Sequence, residues 1–396
     1  MSILAHRPFI RATVTNFFFF ASLNGFVLLP LYIDRLGGTE IEIGLVMGLY
    51  SAVGIVCQPL IGPWVDAAGR RPFMLLGVAL VLASALIATF VSTVPWLALV
   101  RALQGLGFSA FFVANYSYVI DLVPVERRGW ALGIYGISGM VSTALTPLVG
   151  EAIIRGFGFR PFFALCAALA VVAAVLVWPL REQARAEAPP VSGWEWARAG
   201  LADLAHRHMA VTVFFGLGTG TIFAFLPTFA ESLGVTTLAL FYTAYAGAAM
   251  GVRVFGGRLI DTSGRSAVIV PSMFVQVVAT ALLAMLGLVA TQTSALPVLP
   301  VLALAGLMAG GAHGFLYPGL AALVADQAPE ARRGAVVGVF SGVFLVGNAG
   351  GAFVFGYVTH ALGYGRMWSL LTALLLGGAG LSLRLPAEGP RPLVRA

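Results

Sequence analysis

Arg101, Gln104 and Gly105 stand inside a long apolar run, where an ionised side chain is out of place. An arginine in a membrane-crossing segment costs roughly 2.5–3.5 kcal/mol on insertion scales and faces a partner or a cavity. Its chemistry there is recognition of negative charge, against the plainer alternative of a structural pair with a carboxylate such as Glu151. His313, also deep in an apolar run, carries an imidazole whose ordinary titration range brackets neutral pH. It is either a proton carrier or a hydrogen-bonded packing residue. Arg253, eight residues before Asp261, lies near the end of its run, within snorkelling reach of the interface. No Asp or Glu falls near the middle of any apolar run. The titratable coupling candidates are therefore Asp121, Glu151, Glu231 and His313. No phosphate-binding loop, metal-ligand spacing or nucleophile–base set is present, which argues against an enzyme and against any cofactor or metal. Cys57 and Cys166 read as small buried hydrophobes.

The elements that must position these residues follow from composition. Of 396 residues, 59% are hydrophobic and 10% charged, with mean hydropathy +0.95. Soluble domains carry about 25% charged residues, so the solvent for this surface is lipid. The 48 glycines suit close helix packing in a bilayer. The net charge is +7, and every Lys or Arg position is arginine. These arginines sit in short loops between apolar runs, a pattern of topology signals and not of a nucleic-acid-binding face.

A membrane helix needs about 20 mostly apolar residues. Twelve such runs are read near 9–33, 42–62, 73–93, 95–123, 129–154 and 161–180, then near 209–232, 236–260, 266–291, 297–325, 334–360 and 364–385. The first is read as an uncleaved span. The domain division expected is an N-terminal bundle 1–180, a cytoplasmic linker 181–208 and a C-terminal bundle 209–396. Within the linker, Trp194, Trp196 and Leu201 suggest a short interfacial helix. With both termini cytoplasmic, only Arg35, Arg155, Arg160 and Arg366 among the loop arginines fall outside, so the positive-inside rule fixes the orientation.

The chain also repeats itself. Gly62-Pro-Trp-Val-Asp66-Ala-Ala-Gly69-Arg70-Arg71 follows span 2, and Gly257-Arg-Leu-Ile-Asp261-Thr-Ser-Gly264-Arg265 follows span 8. A second pair begins at Asp121, with Pro124, Glu126, Arg127, Arg128 and Gly129, and at Asp326, with Pro329, Glu330, Arg332, Arg333 and Gly334. Two signatures in the same order imply two parallel copies of a six-span unit. The glycines at 62 and 257 are expected to permit close helix approach. Asp66 and Asp261 are expected to face a helix N-terminus, and Arg70 and Arg265 to pair with Asp121 and Asp326. The latch so expected comprises Gly62, Asp66, Gly69, Arg70, Arg71, Asp121, Arg253, Gly257, Asp261, Gly264, Arg265 and Asp326.

The doubled G-x-x-x-D-x-x-G-R signature resembles that of the Major Facilitator Superfamily over the whole chain. The resemblance implies an all-α membrane protein, twelve helices in two six-helix bundles rocking about a central cavity. It also implies that the first-half aspartate meets the start of span 11, near Gly334. Arg101-x-x-Gln104-Gly105 is similar to the span-4 motif of the family's proton-coupled exporters, which implies a link between Arg101 and proton transfer and makes it a further coupling candidate. Thr146-Pro147-Leu-Val-Gly150-Glu151, with Gly136 and Gly139 upstream, partly matches their span-5 pattern. By the same analogy spans 1, 4, 7 and 10 line the cavity. Its polar candidates are Asn24, Tyr50, Gln58, Arg101, Gln104, Asn115, Tyr116, Tyr135, Tyr242, Tyr245, His313, Tyr317 and Asn348, beside the aromatic Phe20, Phe223 and Phe225. Lacking a central carboxylate, such a pocket favours neutral, amphipathic or anionic compounds over strong cations.

The function expected is a secondary transporter, with proton-coupled efflux of small amphiphilic compounds set against import or exchange of a small organic anion. The partners expected are a small-molecule substrate, protons and the lipid bilayer, with no nucleic acid. The chain is expected to act as a monomer in a bacterial inner membrane.

Overall fold

The computed structural model describes residues 6–124, 128–182, 207–289, 297–327 and 333–386. The side chains at 59, 63, 128–130, 258, 261 and 333–337 lie outside this description. So do the expected interfacial helix at Trp194, Trp196 and Leu201, and the loop residues Glu126, Arg127, Glu330 and Arg332.

Twelve helices make up the described chain. They are α1 (Arg7–Arg35, tightened to a 3-10 turn at Phe26–Leu28), α2 (Glu40–Ala68), α3 (Arg70–Phe90), α4 (Val94–Leu122), α5 (Arg128–Phe157) and α6 (Phe159–Val177). Then come α7 (Arg207–Ser232), α8 (239–262), α9 (Arg265–Val289), α10 (Val298–Gln327), α11 (333–362) and α12 (364–382). Ten uninterrupted stretches are long and apolar enough to cross a bilayer. The difference has two local causes. α8 is interrupted by a π-helical turn at Val252–Gly256, and α11 runs into α12 through Gly363 alone. Gly363 has φ 78°, and Gly158, which joins α5 to α6 in the same way, has φ 85°. Such backbone angles suit glycine because it has no Cβ.

The chain divides into two compact units, one of Met1–Leu36 with Leu49–Trp196, the other of Gly37–Gly48 with Ala197–Ala396. In the first unit α3 packs on α4 and α6, and α1 packs on α5 and α6. A core of Phe9, Phe19, Phe111, Tyr118 and Tyr135 binds these helices, with Phe19 and Phe111 stacked at 3.8 Å. Polar groups between the helices brace it. Asn16 Nδ2 donates to Ser138 Oγ (2.9 Å), and Asn24 Nδ2 to Ser142 Oγ and Thr143 Oγ1 (both 2.9 Å). With no water in the hydrocarbon, such groups must find partners within the bundle.

In the second unit α9 packs on α10 and α12, and α8 packs on α10. Backbones approach closely at α7 against α11, where the Cβ direction of Gly216 ends 2.3 Å from the Phe344 carbonyl oxygen and that of Gly220 2.1 Å from the Asn348 carbonyl oxygen. Small residues thus let helices touch through their main chains, the usual source of association where lipid removes the hydrophobic drive.

Candidate functional site

The twice-written signature is not a loop. Gly62 to Ala68 forms the last turns of α2, and Gly257 to Thr262 ends α8. The chain reverses at Gly69 (φ 116°) and Gly264 (φ 92°), and α3 and α9 begin at the next residue. The expected close approach at Gly62 and Gly257 is not found among the described residues, where a Cβ at either position would meet nothing within 4 Å. Helix contact falls to other glycines. Gly105 ends 2.4 Å from the Tyr50 carbonyl oxygen, and Gly310 ends 2.0 Å from that of Tyr245. The interval from Gly62 to Gly257 also separates Tyr50 from Tyr245, so these are one crossing built twice.

The arginines after both reversals take the same posture. Arg70 Nη1 donates to Val65 O (3.2 Å) and Asp66 Oδ1 (2.5 Å), and its Nε donates to Asp121 Oδ2 (3.2 Å). Arg265 Nη1 donates to Ile260 O (2.8 Å) and its Nε to Asp326 Oδ2 (3.1 Å). Each arginine therefore ties the end of one helix, the start of the next and the end of a third. Glu182, which sequence reading left inside the linker, completes the first of these turns. Its carboxylate accepts from the backbone N–H of Arg70 (3.2 Å) and of Arg71 (2.6 Å), at the positive end of α3. Arg71 donates to Trp178 O (2.7 Å) and stacks over that indole at 5.3 Å. The only sequence signal for Glu182 was an acid a few residues beyond α6, too common to single out.

Asp66 is 64% exposed and Asp121 34%. Exposed pairs contribute little, whereas an anion donated two helix-terminal N–H groups contributes more. Glu182→Ala is accordingly expected to lower stability by about 1 kcal/mol and Asp66→Asn by less than about half of that. Thermal unfolding of the detergent-solubilised chain measures both.

Arg101 lies in the first unit, 8% exposed. Its Nη1 donates to Gln104 Oε1 at 2.9 Å, and its guanidinium sits 4.6 Å over the Tyr50 ring. Glu151, expected as a possible partner, is paired with Arg155 one turn along α5. Tyr50 also meets Phe108, which continues through Phe112 and Tyr116 as a row of rings along α4. Tyr116 is 37% exposed, and Gln58 is partly buried. Asn115 and Tyr135, expected at a cavity wall, are buried in the bundle interior, where Asn115 Nδ2 bonds Tyr135 Oη at 3.1 Å.

In the second unit His313 is ringed by Phe215 (5.2 Å), Tyr245 (5.7 Å), Tyr317 (6.1 Å, stacked) and Phe344 (6.4 Å). Phe223 joins at Tyr242 and Tyr245, and both of these tyrosines are buried. Asn348 is half-buried. Arg253, expected in the latch, is within electrostatic reach of Tyr245, Tyr317 and His313. No ion pair to it occurs among the described residues. The side chain of Asp261 lies outside the described residues. The π-helical turn holding Arg253 gave no sequence signal beyond the nearby Gly251, Gly256 and Gly257. Among the described residues no group of His, Cys, Asp and Glu is placed to hold a metal ion.

The pattern of the Major Facilitator Superfamily matches residues 12–312 and 209–395. The chain belongs to that superfamily. It is a multi-pass integral membrane protein and a transporter. An uncharacterized transporter of this superfamily from Methanocaldococcus jannaschii is 25% identical over 89% of this chain and 92% of its own. The multidrug resistance protein MdtG of Enterobacter lignolyticus is 27% identical over 91% of this chain and 89% of its own. Among solved structures, a variant of the nucleoside transporter NupG superposes with a TM-score of 0.81 at 15% identity, covering 95% and 99% of the two chains. The human organic anion transporter MFSD10 gives 0.62 at 17% identity, covering 95% and 99%. At these identities the structural likenesses speak for the superfamily fold.

Proposed function

We propose that this superfamily transporter works by alternating access between its two units and expels small amphiphilic or hydrophobic compounds in exchange for protons. The observation that carries the reading is Arg101, a buried guanidinium held by Gln104 and Tyr50 in the first unit. Such a group responds to the arrival of a negative charge or a proton far more strongly than a solvated one, because the low dielectric leaves it unscreened. Relatives named for multidrug resistance support the direction of transport. The second reading, import or exchange of an organic anion, draws on the two intramembrane arginines and on the likeness to MFSD10. His313 remains a coupling candidate, with aromatic rings and no carboxylate as its neighbours among the described residues. In this reading both termini and the Arg70 and Arg265 turns face the cytoplasm of a bacterial inner membrane, where the turns latch one state shut. The chain acts as a monomer.

The test is transport by the full chain in sealed proteoliposomes, with and without a pH gradient, against neutral, anionic and cationic aromatic compounds. Gradient-driven expulsion of hydrophobic compounds supports proton-coupled efflux. Gradient-independent exchange of an organic anion replaces it with the second reading. Asp66→Asn is expected to slow transport more than it lowers stability, since a latch biases the balance of states. An unchanged transport rate removes the latch role.

A further inference from the structure

We propose that the second unit contains an anion-binding subsite formed by Arg253, Tyr245, Tyr317 and His313, which takes the carboxylate or similar oxyanion of an aromatic cargo. The assignment of cargo rests on the transport reading above; the subsite itself does not.

Arg253 is turned away from lipid. Its neighbours Val254 and Phe255 are 59% and 87% exposed, whereas its own Nε is buried. It sits in the π-helical turn Val252–Gly256, one turn beyond buried Ala249. π-helical turns are rare and recur at functional sites. This Nε has no hydrogen-bond partner among the described residues, and neither has His313 Nδ1.

The composition of the cluster decides the ligand. Arginine offers only donors, tyrosine hydroxyls donate readily, and no carboxylate is paired with them among the described residues. An oxyanion satisfies several of these donors at once, and a planar carboxylate matches the guanidinium fork. The walls are rings. Phe215, Phe344 and Phe223 stand against His313 and Tyr245, which suits an aromatic body attached to the anion. Arg253, His313 and Tyr317 keep partial exposure, so the cluster is reachable.

The repeat sharpens the point. Tyr50 and Tyr245 are equivalent, and each has an arginine beside it. In the first unit that arginine comes from α4, at Arg101, and the equivalent of Arg253 on α2 is Gln58. In the second unit it comes from α8, and the equivalent of Arg101 is Gly306. A positive charge thus accompanies the same tyrosine in both units without being a copied residue, so symmetry of the scaffold does not explain Arg253.

The experiment uses the purified full chain and two probes of the same shape, 1-naphthoate and its neutral amide, with binding read by radiolabel. The expected result is a preference of about tenfold or more for the acid, falling to near parity in Arg253→Gln and partly retained in Arg253→Lys. Tyr317→Phe, which keeps the ring and loses one donor, is expected to lower the preference about threefold and guards against a misfolded arginine variant. Equal binding of acid and amide by the unaltered chain, or an undiminished preference in Arg253→Gln, overturns the subsite. A phospholipid headgroup shares the same chemistry, so the measurement is repeated in nanodiscs with and without phosphatidylglycerol. Naphthoate binding unaffected by that lipid supports a soluble cargo; displacement by it assigns the site to lipid and overturns the cargo. If the acid binds through Arg253 but no aromatic compound moves in proteoliposomes, the transport reading fails and the subsite stands. If compounds move without an Arg253-dependent preference, the subsite alone fails.

Discussion

Arg101→Gln is expected to lower gradient-driven transport by about a hundredfold while leaving the chain as stable as before, or slightly more so. The two halves of this expectation have one origin. An arginine inside a span costs roughly 2.5–3.5 kcal/mol, and the contacts to Gln104 and Tyr50 return only part of that. Glutamine is shorter, neutral and still able to hydrogen-bond Gln104, so the folding cost of the charge disappears with the charge. A residue whose removal relieves the fold and stops the work is held for the work. The measurements are initial transport rates in proteoliposomes and thermal unfolding of the same preparations. A variant that transports normally would leave Arg101 without a role in coupling. One that unfolds many degrees earlier would make it a structural brace of α4.

Gly310→Val is expected to prevent the second unit from assembling, with a cost above about 3 kcal/mol and little folded protein on size-exclusion chromatography. Even a single Cβ at Gly310 would end 2.0 Å from the Tyr245 carbonyl oxygen and 2.5 Å from its carbon, and neither backbone atom can swing aside as a side chain can. α8 and α10 must then part, and Tyr245 moves with them. Gly62→Val is the matched control, because no described residue lies within 4 Å of its Cβ direction. It should fold normally, although the signature makes Gly62 look the more constrained of the two. Normal yield and melting temperature for Gly310→Val would show that the α8–α10 contact is looser than its geometry implies.

That contrast shows what a sequence can reveal here. The number of helices, the duplication and the pairing of Arg70 with Asp121 and of Arg265 with Asp326 were legible. Hydropathy and spacing act along the chain, and the motif names both partners. The packing role of the glycines was not legible, since whether a glycine is crowded depends on what crosses it: Gly105 stands out only through its motif, and Gly310 looks no different from the many others. Asn115 and Tyr135 are cavity candidates by family analogy, as polar residues of apolar helices; in the fold both are buried, and Asn115 Nδ2 donates to Tyr135 Oη. Arg253 was placed by its distance to Asp261 along the helix. The π-helical turn, a backbone event without a residue signature, also puts it within electrostatic reach of Tyr245, Tyr317 and His313.

Gly158 and Gly363 carry a consequence for how force travels through the molecule. A longer connection between helices acts as slack, allowing one to shift before its neighbour feels it. At these two corners a single residue separates α5 from α6 and α11 from α12, and one residue spans less than about 4 Å. Each pair is therefore a stiff hairpin, pushed or pulled as one lever. An insertion of a few flexible residues at either corner should act as a clutch, leaving the helices in place while the stroke of one no longer reaches the other.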